Sequence, residues 1–137
     1  MADKDKVKSD PEKTVPKLYE YKDCIVKGDL LDKKLVTKDG KRAVMIKYRE
    51  PSGRAVEQWY SWARRQATDS NGKVDETVYD EKISLRSRYE IVKEVGGEEY
   101  TKENATRKDR EMAPWLFGLI NTFVGNLLTG ELNGGQD

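Results

Sequence analysis

An Asp-Gly pair between two runs of β-forming residues constrains this fold more than any other feature of the sequence. The first run is Leu35-Val36-Thr37, and the second extends from Ala43 to Tyr48. Asp-Gly favours a tight hairpin turn because both residues tolerate a positive φ angle. The pattern therefore predicts an antiparallel hairpin around Asp39 and Gly40.

A second hairpin is predicted directly after the first, with its turn at residues 50–53. Proline presets φ in this turn and glycine permits a bulge, which places Glu50 opposite Arg54. Paired numbers in an antiparallel ladder have a constant sum, so Tyr48 then faces Val56. The predicted ladder extends to residue 62, with one apolar face and one charged face.

Three further segments show strand-like patterns. Residues 17–26 are rich in β-formers and are followed by a Gly28-Asp29 turn signal. Residues 83–93 alternate apolar and polar side chains, which predicts a strand with a basic outer face. Residues 74–79 carry a weaker signal for a short strand.

The last segment has the spacing of an amphipathic helix. Pro114 suits its first turn and Gly130 suits its C-cap. Residues 115–128 are fourteen in number, whereas a helix that spans a bilayer needs about 20. The large apolar residues recur at three-and-four spacing: Met112, Trp115, Leu116, Leu119, Ile120, Phe123, Val124, Leu127 and Leu128.

Together these patterns predict a mainly β protein of the α+β class. The expected architecture is a small antiparallel sheet of four to six strands with one C-terminal helix over residues 113–129. The sheet is either open or closed into a barrel of the SH3-like or oligonucleotide-binding kind. Residues 17–130 are expected to form one domain, β-rich over 17–95, between a flexible charged tail at 1–16 and a disordered tail at 131–137.

The residue inventory excludes most catalytic chemistry. The chain has no His and one Cys, Cys24, so a zinc finger, a His general base and a Cys-His pair are ruled out within one chain. Neither a phosphate-binding loop nor a nucleophile elbow is present. We expect a non-enzymatic protein with no metal or cofactor. The single Cys and the charged N-terminus favour a location inside the cell, which includes a virus-infected host cell.

Charge along the chain suggests a binding function. Residues 41–65 carry seven basic and two acidic side chains, and the same segment contains Tyr48, Trp59, Tyr60 and Trp62. Cations for phosphates beside rings for bases are the combination that single-strand nucleic-acid binders use. The predicted contact residues are Lys47, Arg49, Arg54, Trp59, Arg64, Arg65, Arg86 and Arg88.

A simpler interpretation assigns the same residues to the protein's own structure. The aromatic rings would then be core, and the basic side chains would be solvated or paired with the many acids. Trp59 separates the two interpretations, because the predicted ladder places it on the charged face. There it is either covered by the C-terminal helix or open to a ligand.

The doubled apolar stripe of the C-terminal helix suggests a second function. One side of the helix would close the sheet, and the other would form a homodimer or dock on another protein. The protein would then be a structural or adaptor protein of the small, charged kind that viruses encode. The predicted interface residues are Trp115, Leu116, Leu119, Ile120, Phe123 and Leu127.

Overall fold

The computed structural model describes residues 15–130. Strands and helices alternate irregularly along this part of the chain, and the helices hold more residues than the strands. The elements are β1 (Leu31–Val36), β2 (Ala43–Tyr48), α1 (Gly53–Ala67), α2 (Glu76–Ile91), β3 (Val92–Val95), β4 (Glu98–Glu99), α3 (Ala105–Glu111) and α4 (Pro114–Thr129).

The hairpin predicted around Gly40 is confirmed. β1 and β2 pair antiparallel, with Leu35 opposite Val44. Asp39 stabilises the turn, since its Oδ1 accepts hydrogen bonds from Thr37 Oγ1 at 2.6 Å and from the Lys41 amide at 2.9 Å. Gly40 has φ of 74°, the positive value that the turn requires. These hydrogen bonds favour the carboxylate and lower the pKa of Asp39.

The sheet has the strand order β1-β2-β3-β4, and every pairing is antiparallel. β1 and β4 are its edges, so of the two predicted alternatives the sheet is the open one and not a barrel. The prediction of a mainly β fold with a single helix is wrong. Over residues 15–130 the protein is α+β, with four α-helices beside four short strands.

The predicted second hairpin is replaced by helix α1. The Ser52 side chain caps the helix by accepting a hydrogen bond from the Ala55 amide at 3.1 Å. Trp59, Ala63 and Ala67 recur four residues apart and form the buried side of the helix. The ladder that placed Glu50 opposite Arg54 is therefore wrong, because the apolar residues of this segment follow a period near 3.6.

The strand predicted over residues 83–93 is mostly helix α2. Asp75 caps the helix by accepting hydrogen bonds from the Thr77 and Val78 amides. Ile83, Ser87 and Ile91 are four residues apart and buried, so helical packing wins over the two-residue alternation. Only residues 92–95 are extended, as β3. The short strand predicted at 74–79 is also wrong, since most of its residues lie in α2.

The strand predicted over residues 17–26 does not join the sheet. These residues are exposed and contain a single 3-10 turn at Tyr21–Asp23. The predicted tails at 1–16 and 131–137 lie outside the described residues, apart from Val15 and Pro16.

The C-terminal helix is confirmed as α4. Pro114 occupies its first turn, and Gly130 caps it in the left-handed conformation with φ of 77°. No helix in the described part of the chain is long and apolar enough to cross a membrane.

The core lies between one face of the sheet and the helices. Inward residues of the strands, such as Leu35 and Ile46, are buried, whereas Val36 and Met45 on the outer face are about half exposed, at 45% and 50%. The helices supply Trp59, Ala63, Ile83, Ile91, Ala105, Ile120 and Val124 to the same core. The outer face of the sheet and the far side of α1 are left as free surfaces.

Candidate nucleic-acid interface

Helix α1 presents a row of exposed polar side chains, which we call the α1 stripe. It consists of Arg54, Gln58, Ser61 and Arg65. Spacings of four, three and four residues place these side chains on one side of a helix. Because the buried side of α1 faces α2 and the core, the stripe is directed to solvent.

A groove beside the stripe brings α2 into the site. This α1–α2 groove has a volume of about 770 Å³ and is lined by the α1 stripe together with Glu57, Tyr60, Trp62 and Arg86. Arg86 is its only contribution from α2. The groove is thus walled by three arginines and two aromatic rings.

Arg86 is held in place over an aromatic ring. Its guanidinium lies 4.9 Å from the centroid of the Trp62 ring, and its Nε donates a 2.8 Å hydrogen bond to Glu90. The cation above the ring is a favourable contact in itself. It also fixes a planar, positively charged group beside an aromatic surface.

A pair of stacked tyrosine rings adjoins the groove. The rings of Tyr60 and Tyr79 stack with centroids 6.4 Å apart and an interplanar angle of 29°. The Arg64 guanidinium lies 5.4 Å from the Tyr79 centroid. A shallow neighbouring cavity of about 660 Å³ is lined by these residues and Arg65, so the two cavities share one basic and aromatic surface.

The three arginines of α1 have no ion-pair partner in the described part of the chain. Within residues 15–130, no carboxylate lies within 4.0 Å of the Arg54, Arg64 or Arg65 guanidinium. Among the described residues, Glu57 is the single acidic residue that lines the α1–α2 groove. The site therefore carries excess positive charge beside the partly buried rings of Tyr60, Trp62 and Tyr79, although the whole chain has a net charge of only +1.

The structure brings together four of the eight residues that the sequence predicted. Arg54, Arg64, Arg65 and Arg86 lie on the surface formed by α1 and α2. Trp59 lies in the core with 6% of its surface exposed. It is therefore neither open to a ligand nor on a charged strand face.

Arg88 is also withdrawn from the surface. It is 6% exposed and forms a buried ion pair with Asp109 at 2.8 Å. The pair explains why a charged residue lies on the inner side of α2, since a buried charge needs a partner. Arg88 is thus a structural residue in this fold.

Lys47 and Arg49 lie in a different cavity, at the end of β2. Lys47 donates to Asp32 at 3.1 Å, and this hydrogen bond and the charge of Asp32 raise the pKa of Lys47. Arg49 Nη1 donates to the Gly28 carbonyl. The cavity is also lined by Glu90, Glu94 and Glu99, so its charge is mixed.

The predicted contact residues lack five residues of the site: Gln58, Ser61, Tyr60, Trp62 and Tyr79, although the Tyr60 and Trp62 rings were noted in the basic segment. The signal for the first two was present, because residues 54, 58, 61 and 65 have the spacing of one helix face. The predicted hairpin placed these residues on a strand, where the same spacing has no meaning. Tyr79 joins the site through the packing of α2 on α1, which no local pattern reports.

The predicted interface residues of the C-terminal helix are covered to different degrees. Ile120 is fully buried, whereas Trp115, Leu116, Leu119, Phe123 and Leu127 are partly buried. Phe123 packs edge-on against Tyr48 of β2, with centroids 4.8 Å apart. The stripe of α4 is thus at least partly covered by the protein's own sheet.

In residues 15–130, no three His, Cys, Asp or Glu side chains cluster as a metal site would require. No family model, curated protein or solved structure matches the chain. The geometry of the α1–α2 surface is therefore the main indication of function.

Proposed function

We propose that the protein binds single-stranded nucleic acid through the α1–α2 groove. The observation that carries this proposal is the α1 stripe beside the Trp62 and Tyr60 rings, since its Arg54 and Arg65 have no carboxylate within 4.0 Å among residues 15–130. Arginines neutralise phosphates, and aromatic rings stack with bases of any sequence. The proposed function is binding alone, so the site needs no catalytic residue.

The aromatic rings of the site favour a single strand over a duplex. In a duplex the base faces are already stacked on each other, so rings on a protein gain nothing from them. In a single strand the bases are free to stack on the pair that Arg86 and Trp62 form at the groove. Gln58 and Ser61 lie between the two ends of the stripe, where their side chains can hydrogen bond to base edges.

Salt dependence tests the role of the arginines. Binding of a fluorescein-labelled oligothymidylate is followed by anisotropy between about 50 and 200 mM salt, where counterion release lowers affinity steeply. The double variant Arg54→Gln/Arg65→Gln should bind more weakly and reduce the slope of log affinity against log salt by about two. The matched control, Arg107→Gln/Arg110→Gln on α3, removes the same charge outside the groove and should retain the wild-type slope.

Substitution of the ring tests stacking. Trp62→Leu should weaken binding roughly fivefold or more, whereas Trp62→Phe retains a stacking surface and should recover most of it. Circular dichroism checks that both variants fold. No binding at low salt, equal loss in the α3 control, or equal affinity for a duplex of the same length would each contradict the proposal.

A further inference from the structure

The outer edge of β1 is open. β1 pairs only with β2, so within the described residues its other side has no strand partner. Such an edge offers free backbone donors and acceptors to another strand. Its two central residues are Lys33 and Lys34, and lysines on an edge repel a second copy of the same strand.

A β-forming segment of the same chain is unpaired. Residues 15–30 lie in no strand of the sheet. Their large apolar side chains are exposed, with Leu18 at 92% and Tyr21 at 83%. An exposed apolar stretch of this kind is typical of an interaction site. The sequence predicts a strand here, and no strand between residues 15 and 130 pairs with it.

The path of the segment directs it away from its own edge strand. The Gly28 carbonyl accepts a hydrogen bond from Arg49, which follows the end of β2. Val26 and Gly28 line a cavity with Pro51 and Ala55 at the start of α1. The chain therefore enters β1 from beyond the end of β2, and residues 18–23 would have to reverse direction to reach the β1 edge of their own molecule.

We propose that residues 18–23 of a second copy add as a strand to the open edge of β1, and that the exchange is reciprocal. The added strand is antiparallel, in the register where paired numbers have the sum 54. This register places Lys22 opposite Asp32, Glu20 opposite Lys34 and Leu18 opposite Val36. Each copy then has a five-stranded sheet.

Charge complementarity selects this register. On the outer face Asp32 already pairs with Lys47 at 3.1 Å, and Lys47 lies opposite Glu94 of β3. Lys22 would extend this row, which then alternates in sign across four strands. Opposite charges at facing positions stabilise a strand pair, and like charges destabilise it.

The apolar residues agree with the same register. Leu18 would cover Val36, which is 45% exposed, and Tyr19 would face Leu35 on the inner side. The Tyr21–Asp23 turn must extend in order to pair. That turn buries no residue, so no core packing is lost.

The mass of the protein in solution gives the first test. Sedimentation equilibrium over a concentration series should show a dimer of twice 15.7 kDa. The single variant Lys34→Glu places two acidic side chains opposite each other at both copies of the 20–34 position in the dimer. The single variant Glu20→Lys places two basic side chains there. Each should raise the dimer dissociation constant about tenfold. The control Lys38→Glu reverses a charge in the β1–β2 turn and should leave the constant unchanged.

Mixing the two single variants separates exchange between copies from folding back within one copy. In a mixed dimer, both Glu20–Lys34 positions again hold opposite charges, so an equimolar mixture should recover the wild-type dimer. A wild-type monomer, a dimer insensitive to Lys34→Glu, or a mixture no tighter than its components would each overturn the proposal. Since Glu20 and Lys34 are exposed, far-UV circular dichroism should be unchanged in all variants.

Discussion

Arg88 of α2 and Asp109 of α3 form a buried ion pair in which two guanidinium nitrogens donate to one carboxylate oxygen. The Nη2 and Nε distances to Oδ2 are 2.8 and 3.2 Å, and the side chains are 8% and 12% exposed. Tyr100 donates to the other carboxylate oxygen at 2.6 Å. Arg88 Nη1 donates to Ser84 and, at 2.9 Å, to Asn121 of α4. One guanidinium therefore connects three helices.

Loss of Arg88 should destabilise the fold strongly. Arg88→Met leaves the Asp109 carboxylate buried without its cation, which typically costs about 3–5 kcal/mol out of a total stability of about 5–15 kcal/mol. Urea unfolding measures the change. Arg107→Met removes an exposed pair with Glu111, in which both side chains are 61% exposed, and should change stability by less than about 1 kcal/mol.

The double variant Arg88→Met/Asp109→Leu sharpens this prediction. It removes both charges, so its stability should exceed that expected from adding the two single effects. Equal stabilities for Arg88→Met and Arg107→Met would show that the buried pair has no special role.

Tyr100 should make the protein sensitive to alkaline pH. Burial, and then the hydrogen bond to Asp109, raise the pKa of Tyr100 above its ordinary value of about 10. Above that pH the unfolded chain releases the proton while the folded protein retains it. The stabilisation is therefore complete below about pH 10 and decreases as pH rises toward the raised pKa.

Comparison of wild type with a variant that lacks the Tyr100 phenol should show this pH dependence. In urea titrations between about pH 8 and 11, Tyr100→Phe should be less stable than wild type at pH 8 but should lose less stability as pH rises. Tyr19→Phe removes a phenol that is 61% exposed and should follow the wild-type profile. Parallel profiles for wild type and Tyr100→Phe would contradict the prediction.

Phe123 tests whether α4 is core or interface. Because Phe123 is partly buried and packs on Tyr48, an aspartate at this position would place an unpaired charge against the core at a cost of several kcal/mol. Phe123→Asp should therefore unfold the domain, as measured by loss of circular dichroism and of cooperative melting. Thr122→Asp, at the exposed neighbouring position, should remain folded. A folded, monomeric Phe123→Asp variant beside a dimeric wild type would instead assign this side of α4 to an interface.

Two elements were predictable from the sequence because their signals are local. The β1–β2 hairpin follows from Asp39-Gly40, whose backbone preferences select the turn wherever the flanking residues favour strands. Helix α4 follows from a sustained three-and-four spacing between Pro114 and Gly130. The sequence also predicted part of the site, namely the basic character of residues 54–65 and the aromatic rings beside them.

The tertiary structure decided the rest. Residues 53–67 contain apolar residues at helical spacing, whereas residues 83–91 alternate with a period of two, and in both segments packing of the two helices against each other favours the helix. Ser52 and Asp75 caps support that choice locally, but the buried Trp59 and Ile83 supply its hydrophobic free energy.

Tertiary contacts also determine whether a charged residue is exposed or buried. Arg54 and Arg88 have the same side chain, yet one lines a groove and the other is buried. The difference is Asp109, which lies 21 residues from Arg88 in sequence and 2.8 Å away in space. Local sequence determined the turn and the C-terminal helix because their energies come from neighbouring residues. The site and the buried pair depend on contacts between distant residues, which form only when the chain folds.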